Sequence, residues 1–445
     1  MRNDRDVVMV VWIIATRFRQ TQETMTGDAQ LLQGIESRYA WQRLFCALAI
    51  MTIGSVGMYA MSVALTVVQS EFGASRSQAS LPYTLTMIGF GIGSILMGRL
   101  ADRHGVMFPV LIGAASLALG FIAAGTASSL WQFNIAHAVL IGLLGTSATF
   151  APLVADSSLW FSRRRGIAVA ICSSGNYLGG AMWPPLLQAG FEQFGMRQTF
   201  IGVGVFCFAT IVPLAFAMRR RPPAIFPQAS SSPGSRQAGV PIANAALPLG
   251  LTPGALQALL CVAGVACCVA MSMPQVHIVA YCSDLGYGAA RGAEMLSLML
   301  GFGILSRLAS GWISDHIGGL RTLLLGSVLQ GVALFLFLPF DGLASLYVVS
   351  AMFGLFQGGI VPSYTLIIRE YFSPAEAGAR VGAVLTATLL GMALGGWMSG
   401  AIFDLTGSYQ AAFVNGIGWN LLNIAIVVTL LFRGRGGARL GTAAA

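Results

Sequence analysis

Lysine is missing altogether: all 25 basic residues are arginine. Charge of any sign is scarce, 9% of 445 residues against 56% hydrophobic, whereas a soluble domain carries roughly a quarter charged residues. Without lysine there is no G-x-x-x-x-G-K-[ST] phosphate loop, which excludes ATP-driven pumping by this chain. Neither G-x-S-x-G nor H-E-x-x-H occurs. The seven cysteines form no C-x-x-C pair and the four histidines have no metal-ligand spacing, so no metal, no cofactor and no enzymatic activity is expected. The cysteines read as small buried apolar side chains.

What fills the chain is one long apolar run after another. Each is long enough, at about 20 residues, to cross a hydrocarbon core of ~30 Å as a helix. The pattern predicts an all-α polytopic membrane protein with twelve spans: 44–68, 81–100, 107–126, 130–155, 166–190, 198–218, 255–280, 293–313, 320–340, 343–368, 381–402 and 410–432. Small residues run through them, as in "GFGIGSILMG" (89–98), "GNYLGG" (175–180) and "GMALGGWMSG" (391–400), and permit close helix approach.

The net charge of +9 does not call for nucleic acid. Twenty-one arginines fall on one side of the predicted topology, in the leader, after spans two, four, six, eight and ten, and at the C-terminus. Only Arg76, Arg197 and Arg291 fall on the other, and Arg307 lies within a span. The positive-inside rule then makes both termini cytoplasmic. Residues 1–43 are a cytoplasmic tail, within which "VVMVVWIIAT" (7–16) reads as part of a disordered segment or over-extended start, with Met25 the working initiator. Residues 44–218 form one six-helix bundle and 255–432 a second, joined by a Pro-, Ser- and Gly-rich linker at 219–254 and followed by a tail at 433–445.

The bundles repeat each other. "GRLADRHG" (98–105) follows span two and "GWISDHIGG" (311–319) follows span eight, placing Asp102 and Asp315 213 residues apart. "WFS" (160–162) and "YFS" (371–373) follow spans four and ten, 211 residues apart. Parallel six-helix repeats with a site between them describe a carrier that alternates access. "GRLADRHG" resembles the loop 2–3 signature of the major facilitator superfamily. "EFGASRSQAS" (71–80) and "WFSRRRGIAVAICSSGNYLGGAMWPPL" (160–186) resemble its monocarboxylate porter and oxalate/formate antiporter group.

The resemblance implies a two-half pseudo-symmetric major facilitator fold and a gate at Asp102 and Arg103, with Gly98 and Gly105 allowing tight turns and Asp315 as a degenerate second copy. "SRRRG" (162–166) is sufficient as a topology-setting basic loop. Arg307, about 12 Å into span eight from Asp315 at 1.5 Å per residue, is a fixed charge in an apolar run. An intramembrane arginine faces a pathway or pairs with an acid such as Asp156. Its planar fork suits a carboxylate, and the resembled group carries a substrate-binding arginine in this span. Further cavity candidates are Tyr364, His277, Gln275, Tyr59, Tyr83 and Asn176.

Two departures stand out: Gly303 occupies the place, four before Arg307, where monocarboxylate porters often have an acid, and span eleven holds no second cation. One cation suits a monoanion, moved by exchange or with weak proton coupling, with His277 or His137 as the remaining proton relays. The expected partners are thus a small organic anion, protons or a counter-anion, and membrane lipid, for a monomer in a bacterial inner membrane. A multidrug efflux carrier of the same fold is the alternative, and would favour an acidic cavity.

The topology has a direct check. Single cysteines at 163–165 or 221 should react with impermeant reagents only from the cytoplasm, and one replacing Arg197 only from outside. Labelling of Arg197→Cys from the cytoplasmic face would overturn the span count.

Overall fold

The computed structural model describes residues 36–220 and 248–442, all helix and connecting turn with no strand. Residues 1–35 of the predicted tail and 221–247 of the predicted linker lie outside the described residues; the first helix starts at Arg38, inside the predicted tail, and another at Pro253, inside the predicted linker. With no water in a bilayer core, each backbone N–H and C=O must be bonded within its own segment, which a helix achieves. Eleven described helices are long and apolar enough to cross: α1 Arg38–Phe72, α2 Arg76–His104, α3 Met107–Thr126, α4 Leu130–Ser157, α5 Arg165–Ala217, α6 Pro253–Asp284, α7 Ala289–Ile317, α8 Gly319–Leu336, α9 Leu343–Tyr371, α10 Glu376–Thr406 and α11 Tyr409–Arg433.

Predicted spans five and six share α5, a run of 53 residues broken at Gly195 (φ 76°, ψ 168°), a conformation that only glycine adopts cheaply. The stretches either side, 165–194 and 196–217, are each long enough for one crossing. Past the last predicted span the α11 helix continues to Thr442, where a tail was expected.

Local signals account for the ends. Ser75 and Gln78 form a reciprocal capping box at the start of α2, and Thr252 caps α6 with Pro253 in the first turn. The repeat is written into the backbone as well: Gly105 (φ 84°, ψ 163°) ends α2 and Gly318 (φ 83°, ψ 163°) ends α7. These near-identical positive-φ turns follow Asp102 and Asp315 at one offset.

Helices α1–α5 form one half and α6–α11 the other. The exposed surface is apolar, including Ile92, Leu119, Trp312, Phe335 and Leu421, as lipid contact requires. Burial of small residues, more than of large ones, brings helices together. At Gly354 of α9 a Cβ would strike the backbone of Met299 in α7, so the two helices touch main chain to main chain.

One charged pair lies deep in the N-terminal half. Arg43 of α1 donates from Nε and Nη2 to both oxygens of Asp156 in α4, at 2.8 and 2.9 Å, with both residues buried. Its guanidinium also lies 4.9 Å over the Trp160 ring. Asp156 is therefore not the partner of Arg307, contrary to the ion pair that the sequence suggested. Which arginine Asp156 pairs with depends on which helices adjoin, and sequence spacing does not report that.

Removing one member of this pair leaves a buried charge uncompensated, a cost of about 3–5 kcal/mol. Arg43→Met should sharply lower membrane yield and thermal stability in detergent. The double variant with Asp156→Leu should recover most of the loss. An Arg43→Met protein as stable as the parent would contradict the pairing.

Candidate functional site

The two halves meet along α2–α10, α5–α7 and the outer part of α1 against α6. The end that carries Asp102, Arg163–Arg165 and Asp315 is here called the arginine-rich end. At the opposite end the halves are bonded by charge. Arg76 of α2 places Nη2 2.9 and 3.0 Å from the two carboxylate oxygens of Asp284 in α6. Its backbone N–H and that of Ser77 each donate to Asp404 of α10 at 2.8 Å. An acid of one half thus caps a helix of the other, where the positive helix end favours it. Arg76 also lies 4.5 Å over the Phe403 ring and 5.6 Å over the Tyr409 ring.

From that seal the contacts descend toward the arginine-rich end. Thr84 Oγ1 donates to the Ala393 carbonyl at 2.9 Å. Tyr83 packs on Gly396, Ser297 donates to the Ala181 carbonyl, and the Tyr177 ring sits against Gly303. The lowest such contact is Arg307 Nη1 donating to the Ser173 carbonyl at 3.4 Å. Beyond it the halves part. The segments Arg38–Gly54, Ala151–Ser157 and Ile360–Tyr371 pack chiefly within their own half, and a Cβ on Gly98, Gly166, Gly311 or Gly382 would meet nothing within 4 Å.

Arg307 stands at this point of divergence. It is half-buried, its guanidinium 4.6 Å over the ring of Tyr177, and among the described residues no carboxylate reaches it. Its Nε is buried with no partner. The face of α7 that carries Leu300, Gly303 and Arg307 looks into the seam. Gly301 and Leu305, on the other side of the helix, line a separate groove of about 580 Å³ with Ala181 and Glu294.

The predicted site residues divide in two. Tyr59, Tyr83 and Asn176 make no hydrogen bond among the described residues, nor does Gln275, yet none has its polar end sealed off. Tyr59 packs on Gly180 and lies in electrostatic range of Tyr83, Tyr177 and Arg307. Of these, Tyr59 and Tyr83 lie at the contact between the halves, against Gly180 and Gly396.

His277 and Tyr364 are hydrogen-bonded instead. Both ring nitrogens of His277 are engaged, with Tyr409 and the Gly396 carbonyl at 2.8 Å each. Tyr364 is fully buried inside the C-terminal half, donating to Asn423 at 3.2 Å in a core with Cys267 and Cys268. Asp102, Arg103 and Asp315 are exposed. It is Glu370, not Asp315, that receives the first N–H of α8, from Gly319 at 2.9 Å.

Two residues escaped the sequence reading. Tyr177 lies inside the quoted "GNYLGG", and its pairing with Gly303 is a long-range fit of ring to gap. Arg76 lies inside "EFGASRSQAS" and counted there only as an outer charge. A capping-box serine directly before an arginine was the available signal.

The seal predicts a conformational bias. Asp284→Asn removes the charge partner of Arg76, so the opposite end should open more often. A cysteine replacing the buried Ser80 should then react with an impermeant thiol reagent about tenfold faster or more. An unchanged rate would show that the ion pair does not hold the halves.

Comparison with known proteins fits this architecture. A model described as the Major Facilitator Superfamily matches residues 45–345 and 295–444. Monocarboxylate transporter 13 of Bos taurus is 28% identical over 364 residues, covering 79% of each chain. The agnestins efflux protein AgnL12 of Paecilomyces divaricatus is 23% identical over 394 residues, covering 86% of this chain and 85% of its own. Among solved structures, a bacterial homologue of the human lysosomal transporter Spinster, inward-facing and occupied, aligns with a TM-score of 0.63 at 16% identity, covering 90% of this chain and 96% of its own. The nucleoside transporter NupG aligns with a TM-score of 0.68 at 15% identity, covering 88% and 100%. The family match spans both halves, the aligned folds are transporters, and the chain belongs to the Major Facilitator Superfamily.

Proposed function

We propose that this transporter moves a small organic monocarboxylate by alternating access, with Arg307 taking the carboxylate. One observation carries the reading: a guanidinium without a carboxylate partner stands where the two halves part. A planar fork and a carboxylate match in shape as well as charge. Tyr177 orients the guanidinium by a cation–π contact. Its hydroxyl makes no bond among the described residues and is free for the second carboxylate lone pair. Tyr59, Tyr83, Asn176 and Gln275 supply the remaining polar wall, and the single cation selects a monoanion. The similarity to monocarboxylate transporter 13 supports the same class.

With the arginine-rich end in the cytoplasm of a bacterial inner membrane, the conformation described is open inward. The Asp102–Arg103 loop, flanked by Gly98 and Gly105, then latches the halves only in the outward-open state, which accounts for its exposure. Gly303 leaves no room for a coupling acid, because the Tyr177 ring fills that space. Transport by anion exchange or with weak proton coupling follows. An efflux carrier of cationic compounds would need an acid here, and Asp156 is committed to Arg43.

Uptake into proteoliposomes, competed by a panel of carboxylates, tests the class. Arg307→Lys keeps charge but loses the fork and should weaken affinity about tenfold or more. Arg307→Ala should abolish saturable uptake at normal membrane yield, because the residue gives up one long hydrogen bond and one ring contact. Wild-type uptake in a well-expressed Arg307→Ala, or competition by amines and not by carboxylates, would overturn the assignment.

A further inference from the structure

The seal around Arg76 contains a buried histidine with both ring nitrogens in hydrogen bonds. His277 of α6 is fully buried. Its Nε2 faces the Gly396 carbonyl, which can only accept, so Nε2 carries the hydrogen. In a neutral ring, Nδ1 then accepts from the Tyr409 hydroxyl. Both nitrogens are occupied in this conformation.

Over the same phenol ring, 5.6 Å from its centroid, stands the Arg76 guanidinium. The charged and titratable groups facing His277 come from four helices. They are Arg76 from α2, Asp404 from α10 and Tyr409 from α11, with Asp284 and Tyr281 from α6 itself, Tyr281 packing edge-on against Tyr409 at 5.7 Å. Arg76 belongs to the N-terminal half. His277 and the other four groups belong to the C-terminal half, so the histidine and the arginine separate when the seal opens.

We propose that His277 is a proton-binding site that unlocks this seal. A proton taken up at Nδ1 turns that nitrogen from acceptor to donor. The Tyr409 oxygen must then accept from it, and its own hydrogen turns away from the imidazole. A second positive charge also comes to sit one phenol ring from a guanidinium in a region that excludes water, where like charges repel strongly. Parting of the halves removes both conflicts, since Arg76 withdraws and water reaches the imidazolium.

The open state therefore binds the proton more tightly than the sealed one. Linkage then requires acid to favour opening. A single proton changes the ratio of sealed to open molecules by at most about tenfold per pH unit. For a carboxylate carrier, acidity on the outer side would recruit molecules to face it.

The test needs no substrate, so its failure is separable from failure of the carboxylate reading. Spin labels go on cysteines replacing the exposed Ser70 and Gln410, one on each half, in a protein otherwise free of cysteine. Their distance distribution is then recorded from pH 8 to pH 5. The parent should gain a longer-distance population on acidification, by up to about tenfold per pH unit within the titrating window. His277→Gln cannot take up a proton and should give a pH-independent distribution. His137→Gln, at the other buried histidine, should respond as the parent does. In the unsubstituted protein, nitrogen NMR of labelled histidine should show His277 titrating in step with the distance change. A parent without pH response, a full response in His277→Gln, or a His277 that stays neutral across the range would each overturn the proposal.

Discussion

Inside a bilayer no hydrophobic drive pushes one half of this protein against the other, because lipid is as apolar as the helix surfaces. What joins the halves is close approach at small residues and a few polar bonds, and the charged bonds among the described residues gather around Arg76. Asp284 and Asp404 belong to one half; the guanidinium and the two amides they bind belong to the other. A helix end and an arginine in an apolar setting both need an anion, and here the need of one half is met only by contact with the other. That dependence sets the conformation. With the opposite end sealed, the seam can part only toward the arginine-rich end, and everything at the site is seen from that side.

The two interior arginines show how environment divides their roles. Arg43 has a buried carboxylate on two of its nitrogens and an indole over its face. It is a closed unit that ties α1 to α4 within one half. Arg307 has a ring, one long bond to a carbonyl and an unpartnered Nε. Its charge is tolerated because it stands where the halves separate, with the protein supplying orientation and leaving neutralisation unfilled. An intramembrane charge lacking its counter-charge marks a pathway more clearly than a paired one.

Glycine does related work along the seam. Gly303 and Gly396 receive the rings of Tyr177 and Tyr83 from the facing half. Each contact is ring against backbone, with no interlocking side chains to disengage when the helices rock. The same fit sets the Tyr177 ring on the Arg307 guanidinium and fills the position where an acid would otherwise stand.

Much of this was readable without coordinates. Apolar run length, the arginine distribution and the repeat of "GRLADRHG" in "GWISDHIGG" led to a helical carrier in two halves, because bilayer thickness and backbone hydrogen bonding leave few alternatives. The isolation of Arg307 was equally plain, since a fixed charge in an apolar span shows in one dimension. Pairing was not. That Asp156 belongs to Arg43, that Glu370 rather than Asp315 caps α8, and that His277 is occupied while Tyr59 is free all depend on which helices adjoin and how each is rotated. Periodicity leaves that rotation open in helices flanked by lipid and protein alike, where apolar residues face both ways. Run length and composition thus fix the lipid surroundings, the number of crossings to expect and the one charge set within an apolar span. Only the packed helices settle which charges cancel and which lack a counter-charge among the described residues, because cancellation acts over a few ångströms between segments hundreds of residues apart.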